Sequence, residues 1–305
     1  MMEEIDKTTE NTLNENQEVT PSTLKVIYHE LIHDKWAMVS LFVICFIVLF
    51  SIIGSFFINK NKLLTVDIFN NWLKPGQNGH LLGTDNSGYD LFGYLIMGAR
   101  NSILMGVALA IIIEFFGIFI GLVSAYFGGW FDLIMMRIVD FFMILPGTIT
   151  VISIVSIWKH YTPVNLVLLM AAISWMSTAR LMRSLALSQR DRDYVMASKT
   201  SGTGNFTIIF REILPNIATY IITDFTLTVA GMIGFEVTLS YLGFGLPDNV
   251  PSLGTLIGYA SDTNFMLNYP WGWFPALVTL IILTVSINFF GQALRRAADA
   301  RQRRG

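Results

Sequence analysis

Six apolar runs alternate with polar segments along this chain, and each is long enough to be a membrane crossing. The first, Trp36–Ile58, is uncharged; at about 1.5 Å per helical residue it spans a ~30 Å hydrocarbon core. The second, Ile103–Phe127, is interrupted only by Glu114, and Gly128-Gly129 closes it. The third, Leu133–Ile157, holds Arg137 and Asp140 in its first turns, at a spacing that lets them face each other. Pro146 inside that run predicts a kink, which neighbouring helices can tolerate. The fourth, Val164–Leu187, loses its apolar character near Arg180. The fifth, Ile217–Leu242, carries Asp224 and Glu236, and the sixth opens at Pro270-Trp271 and runs to about Leu294. The pattern predicts an all-α membrane protein with six transmembrane helices.

The flanks differ in character. Residues 1–20 carry six acids against Lys7 and read as a disordered tail. Thr20-Pro21 is a helix start, with threonine as cap and proline in the first turn. Leu24, Ile27, Tyr28 and Leu31 then recur at helical spacing, which predicts an amphipathic elbow helix lying on the membrane surface. Two long connectors, 59–100 and 243–270, are rich in turn residues. Five arginines between Arg295 and Arg304 end the chain.

The polar insert between the fourth and fifth runs, Asp193–Asn216, is the segment best suited to meet another protein. Two short helical patterns flank Gly202, which can take a positive φ without steric cost. Tyr194, Ala197 and Ser201 share a face of the first. Phe206, Ile209 and Phe210 form an apolar stripe on the second. Leu214-Pro215 opens the next helix, with proline where a missing N–H costs little.

Composition narrows the classes. The chain is 53% hydrophobic and 14% charged, which excludes an ordinary soluble domain. Net charge is −2, so no basic surplus points to nucleic acid. Lone Cys45 allows no intrachain disulfide. No G-x-x-x-x-G-K-[ST] loop and no nucleophile triad are present, so an ATP site would have to lie on another subunit. His29, Glu30 and His33 match H-E-x-x-H, a zinc-protease pattern, without a supporting third ligand; no metal site is expected. Lysine and arginine are concentrated in the termini and in the segments around Arg137 and from Arg180 to Arg211. The positive-inside rule therefore places both termini and the 188–216 loop in the cytoplasm, and 59–100 and 243–270 outside. Glu114, Asp224 and Glu236 either line a translocation path or pair within the bundle.

The loop resembles the cytoplasmic EAA loop of membrane subunits of binding-protein-dependent ABC importers. Met196-Ala197-Ser198 stands at the Glu-Ala-Ala place, Gly202 at the glycine and Leu214-Pro215 at the end. Met196 replaces the family glutamate, and Glu212 stands where the pattern has isoleucine. His80–Asp90 and Gly98-Ala99-Arg100 resemble the C-type subunits of oligopeptide, dipeptide and nickel importers. So do Glu236 through Gly245 and Pro251–Gly254. The resemblance implies a type I ABC importer permease fold in a bacterial plasma membrane. It divides the chain into a tail (1–20), an elbow helix with first span and outer segment (21–100), a transmembrane core (101–294) with coupling loop 188–216, and a basic tail (295–305). It implies a coupling role for Asp193, Tyr194, Met196, Ala197, Ser198, Gly202, Phe206, Leu214 and Pro215. It further implies a homologous second permease, two ATPase subunits holding ATP and magnesium, and an extracytoplasmic peptide-binding protein. No cofactor is expected on this chain, and it would not itself be an enzyme. Peptide is the implied substrate. A nickel permease, a zinc protease and a proton-coupled transporter using the three carboxylates are the alternatives.

Overall fold

A computed structural model describes residues 31–158, 160–247 and 249–302. The acidic tail, most of the expected elbow helix, and His29 and Glu30 lie outside the described residues. Among the described residues the chain is helical, with one isolated bridge between Thr84 and Asp90.

Helix α1, Lys35–Phe57, starts where Asp34 accepts hydrogen bonds from the Trp36 and Ala37 N–H groups. Most of its surface is apolar and exposed, as at Phe42, Phe46 and Phe50. A helix hydrophobic around its circumference, yet unburied by protein, is one made for lipid. Helix α2, Leu91–Phe127, has 37 residues and is capped by Asp90, which accepts from the Gly93 N–H. At roughly 55 Å it exceeds the hydrocarbon core. It therefore begins twelve residues before the apolar run at Ile103 and crosses the boundary drawn at residue 100. Its first turns are fixed by tertiary contacts: Asn101 Nδ2 donates to the Pro251 carbonyl, 2.8 Å, and Ser102 Oγ accepts from Leu253 N–H, 3.3 Å.

The third and fourth runs are broken. Helices α3, Gly129–Ile144, and α4, Gly147–Ile157, meet at 77°, a sharper event than the kink expected at Pro146. Helices α5, Pro163–Ala172, and α6, Trp175–Arg190, meet at 44° with neither proline nor glycine at the joint. After the short α7, Asp193–Thr200, one rod runs from Asn205 to Tyr241; it comprises a helical turn, a π-helical stretch Ile208–Ile213, and helix α8, Leu214–Tyr241. Helices α9, Leu253–Gly258, and α10, Thr263–Asn268, lead to α11, Pro270–Gln302. Four of these stretches are long and apolar enough to cross a membrane, and six crossings result if each bent pair counts as one.

Helix α2 is the spine. Its first half packs with α8, α9 and α11 around Ile103, Ile233 and Leu283. Its middle packs with α4 and α5 around Leu109 and Met170. Its end packs with α6, α7 and the π stretch around Leu122, Met182 and Ile209. Against α6 the approach is close enough to require glycine: a Cβ at Gly121 would stand 2.6 Å from the Ala179 carbonyl oxygen and 2.9 Å from the Arg183 nitrogen. Small residues that let backbones approach are a common basis of helix packing in membranes. Ion pairs add to the α3–α6 contact. Arg183 reaches both oxygens of Asp132, Arg180 pairs with Asp140, and Arg137 stands 3.9 Å from Asp140, as their spacing predicts.

Candidate functional site: the 188–216 loop and the buried carboxylates

Helix α7 is short but well formed. Asp193 in its first turn and Lys199 in its last complement the helix dipole. It closes in a Schellman motif: Thr203 N–H reaches the Ser198 carbonyl, 3.1 Å, and Gly202 N–H reaches that of Lys199, 3.2 Å. Gly202 sits at φ +81° with open space around it, so the backbone, not crowding, is what calls for glycine.

One face of α7 is turned inward. Val195 is buried with Leu122, Met182 and Ile209, and the Ser198 hydroxyl donates to Glu212. Tyr194 OH donates to Gln189 Oε1, 3.1 Å. The other face, with Asp193, Met196, Ala197, Lys199 and Thr200, is exposed. The loop is further fastened to the end of α2, where Arg190 Nη1 donates to the Ala125 carbonyl, 3.0 Å, and Tyr126 OH to Asn205 Oδ1, 2.9 Å. The stripe read from the second helical pattern divides. Ile209 is buried, whereas Phe206 and Phe210 are exposed and stack at 6.4 Å, continued by Phe119 and Phe127 of α2. Leu214 and Pro215 form the first turn of α8.

The three carboxylates in the spans have different surroundings. Glu114 of α2 is buried beside Asp224 and Thr228 of α8, and Thr178 Oγ1 of α6 donates to Asp224 Oδ2, 3.2 Å. This group joins three helices. Glu236 is fully buried; Ser240 Oγ donates to it at 2.7 Å, with Ser102 and Ser252 alongside. Ser240 Oγ also accepts from the Leu246 N–H, 3.2 Å. Glu236 thus lies where α2, α8 and the connector after α8 meet.

The two long connectors are locked together. Asp85 is buried and accepts from Ser87 N–H, Tyr89 N–H and Tyr259 OH, at 2.9, 2.8 and 2.7 Å. Burial pushes the Asp85 carboxyl above the usual carboxylate range, with Tyr259 and the backbone donors opposing. Burial, and then the facing Asp85 charge, also push the Tyr259 hydroxyl up. Trp72 stacks on Tyr269 at 4.1 Å and on Phe265 at 5.0 Å. His80 Nδ1 lies 2.9 Å from Asp90 Oδ1 at the cap of α2, beside a cleft of about 630 Å³.

Sequence reasoning placed the loop and singled out Glu114, Asp224 and Glu236, but it did not find the Ser198–Glu212 or Asp85–Tyr259 contacts. Glu212, a carboxylate among Ile208, Ile209 and Ile213, was the one visible hint. The Asp85–Tyr259 pair is separated by 174 positions and leaves no local signal.

Residues 117–304 match the family model of the binding-protein-dependent transport system inner membrane component. Residues 22–75 match that of the N-terminal TM domain of oligopeptide transport permease C. The chain is 44% identical over 281 residues to the oligopeptide transport system permease protein OppC of Lactococcus lactis strain IL1403, covering 92% of this chain and 96% of that protein. It is 35% identical to OppC of Bacillus subtilis, over 89% and 87% of the two chains. It is 38% identical to OppC of Mycobacterium bovis, over 77% and 80%. A helical bundle with a fastened polar loop, matched along nearly its whole length in this way, belongs to the family of inner membrane components of binding-protein-dependent transport systems.

Proposed function

We propose that this chain is a permease subunit of an ATP-driven peptide importer, forming half of the translocation pathway. The loop around α7 is its contact with an ATPase subunit. The observation that carries this reading is the geometry of α7: one face fastened to the bundle, the opposite face exposed. A short helix entering a partner's groove is an established docking mode. The partners are a homologous second permease, two ATPase subunits that hold ATP and magnesium, and an extracytoplasmic peptide-binding protein. Both termini and the loop face the cytoplasm, in keeping with the lysine and arginine distribution. Closure of the ATPases moves the loops and turns the two permeases outward; peptide enters between them, and hydrolysis resets the assembly. Such a change requires that the ATPases contact the two states differently.

Peptide is favoured over nickel because the relatives described above are named for oligopeptide transport. In this reading Glu236 and the Thr178–Asp224 bond tie helices together inside the permease, and Glu114, whose carboxylate oxygens are buried without a hydrogen-bond partner, packs beside Asp224. The test is Gly202→Arg in the assembled importer. A side chain at φ +81° strains the turn that closes α7. The expected outcome is hydrolysis no longer stimulated by loaded binding protein, and lost uptake, with the spans folded. Normal uptake would refute the coupling assignment.

A further inference from the structure

Glu212 stands at the joint between the loop and the bundle. It lies in the π-helical stretch Ile208–Ile213, where the Leu214 N–H bonds the carbonyl of Ile209, five residues back. Pro215 follows and, having no N–H, cannot extend that ladder. Widened turns of this kind recur at functional sites. Here the turn sits in the rod from Asn205 to Tyr241, at the foot of α8. A bend at this turn meets a ladder that the widened turn and Pro215 already interrupt.

The carboxylate of Glu212 points to α7. The Ser198 hydroxyl donates to its Oε1, while Oε2 is buried without a hydrogen-bond partner. Tyr194 of α7 and Tyr126 at the end of α2 both lie within reach of its charge. Asn216 Nδ2 donates to the Glu212 carbonyl, 2.8 Å, and so braces the backbone of the same turn. Val195, three residues before Ser198, shares the inward face of α7 and is buried against Ile208 and Ile209. An apolar contact alone would let α7 slide over the isoleucines. A charge-assisted hydrogen bond fixes direction as well as distance. Burying a carboxylate oxygen unpaired is unfavourable, and the bond to Ser198 is what offsets it.

We infer that Glu212 is a positioning residue that carries displacement of α7, through Ser198, into the π turn at the foot of α8. The inference rests on the reading of α7 as the helix that meets the ATPase.

The experiment uses the importer reconstituted in vesicles with its partner subunits. ATP hydrolysis is measured with and without peptide-loaded binding protein, alongside peptide uptake and subunit co-purification. Glu212→Leu is expected to leave the subunits together and lower the stimulation ratio and uptake about tenfold, the scale of one hydrogen bond to a charged group. Glu212→Gln, whose amide oxygen still accepts from Ser198 but without the charge, retains more of both than Glu212→Leu does. Ser198→Ala reproduces the loss, and the double variant Ser198→Ala/Glu212→Leu falls no further than either single one. Full stimulation in Glu212→Leu, or losses that add in the double variant, would overturn the inference. Should Glu212→Leu fail to assemble, Ser198→Ala and Glu212→Gln decide in its place. If Gly202→Arg uncouples while Glu212→Leu does not, only the role of Glu212 fails; if Gly202→Arg transports normally, the underlying reading of α7 fails.

Discussion

Gly121→Ala is the smallest change that tests how the spine of the bundle is packed. The added methyl would lie 2.6 Å from the Ala179 carbonyl oxygen, 2.9 Å from the Arg183 nitrogen and 2.9 Å from Met182 Cβ. Two of these are backbone atoms, so no rotamer change relieves the contact. Helices α2 and α6 would have to part by roughly 0.8 Å, and a gap of that size forfeits a quarter to a half of each lost dispersion contact. Overpacking of this kind costs about 1–3 kcal/mol, less the few tenths to 1 kcal/mol that alanine gains over glycine in a helix. Parting the helices also disturbs the Arg183–Asp132 pair, because the Arg183 backbone is one of the atoms displaced. The assay is unfolding of the detergent-solubilised chain by sodium dodecyl sulfate, followed by circular dichroism. Gly231→Ala in α8 is the matched control, since a Cβ there meets nothing within 4 Å. Gly121→Ala should unfold at clearly lower detergent fraction and Gly231→Ala at equal or higher. Equal stability of the two variants would refute the close-packing argument.

Three further outcomes are expected. Arg183→Lys cannot reproduce the two-pronged bond to Asp132; with both side chains less than a third exposed, the loss should fall between surface and buried pairs, at ~1–3 kcal/mol by the same titration. Asp34→Ala removes both the cap of α1 and the 2.7 Å bond from Arg296 Nη2, and should lower stability by about 1 kcal/mol. The Arg296 bond holds the Asp34 carboxyl below its usual range, so its contribution is present above the unfolded pKa and is lost only as pH falls through the lower folded one. Asp85 has the opposite sign: its raised pKa means stability is fullest below the unfolded value and falls as pH rises through the folded one. Tyr259→Phe, which removes a donor to the ionised form, should steepen that fall, and Asp85→Asn should abolish it; unfolding titrations from acidic to neutral pH distinguish the two.

What the sequence made legible was set by locality. Helix α1 follows its apolar run, started by the local Asp34 cap, whereas α11 runs past its apolar run to Gln302, through the arginines read as a basic tail. The apolar run begins at Ile103, but the helix begins at Leu91: Arg100 and Asn101 lower the hydropathy of Leu91–Ser102, and its contacts with Pro251 and Leu253 lie far along the chain. Pro146 signalled a disturbance but not its angle. The bend at Ile173–Ser174 carries neither proline nor glycine, so no strong local sign of it stands in the sequence. In the loop, Gly202 announced its own turn because a positive φ is a local demand. The partner of Glu212 and the facing of Glu114 and Asp224 depend on how separate helices dock, which no periodicity records.

The 77° bend between α3 and α4 has a consequence for where this protein can be dry. A helix that stops at Ile144 leaves carbonyls behind it, and one that restarts at Gly147 leaves its first N–H groups ahead of it. The chain answers these groups only in part: the Leu145 N–H bonds the Phe142 carbonyl, 3.1 Å, and Pro146 caps the second helix without a side-chain hydrogen bond. Hydrocarbon offers them nothing, at several kcal/mol for each group left unmet. The groups still open at Leu145-Pro146 are ones that hydrocarbon would solvate poorly, although Phe141 and Ile144 beside them are exposed and apolar. Within a membrane, water or polypeptide suits this flank better than lipid does, whereas the apolar face beside it suits lipid.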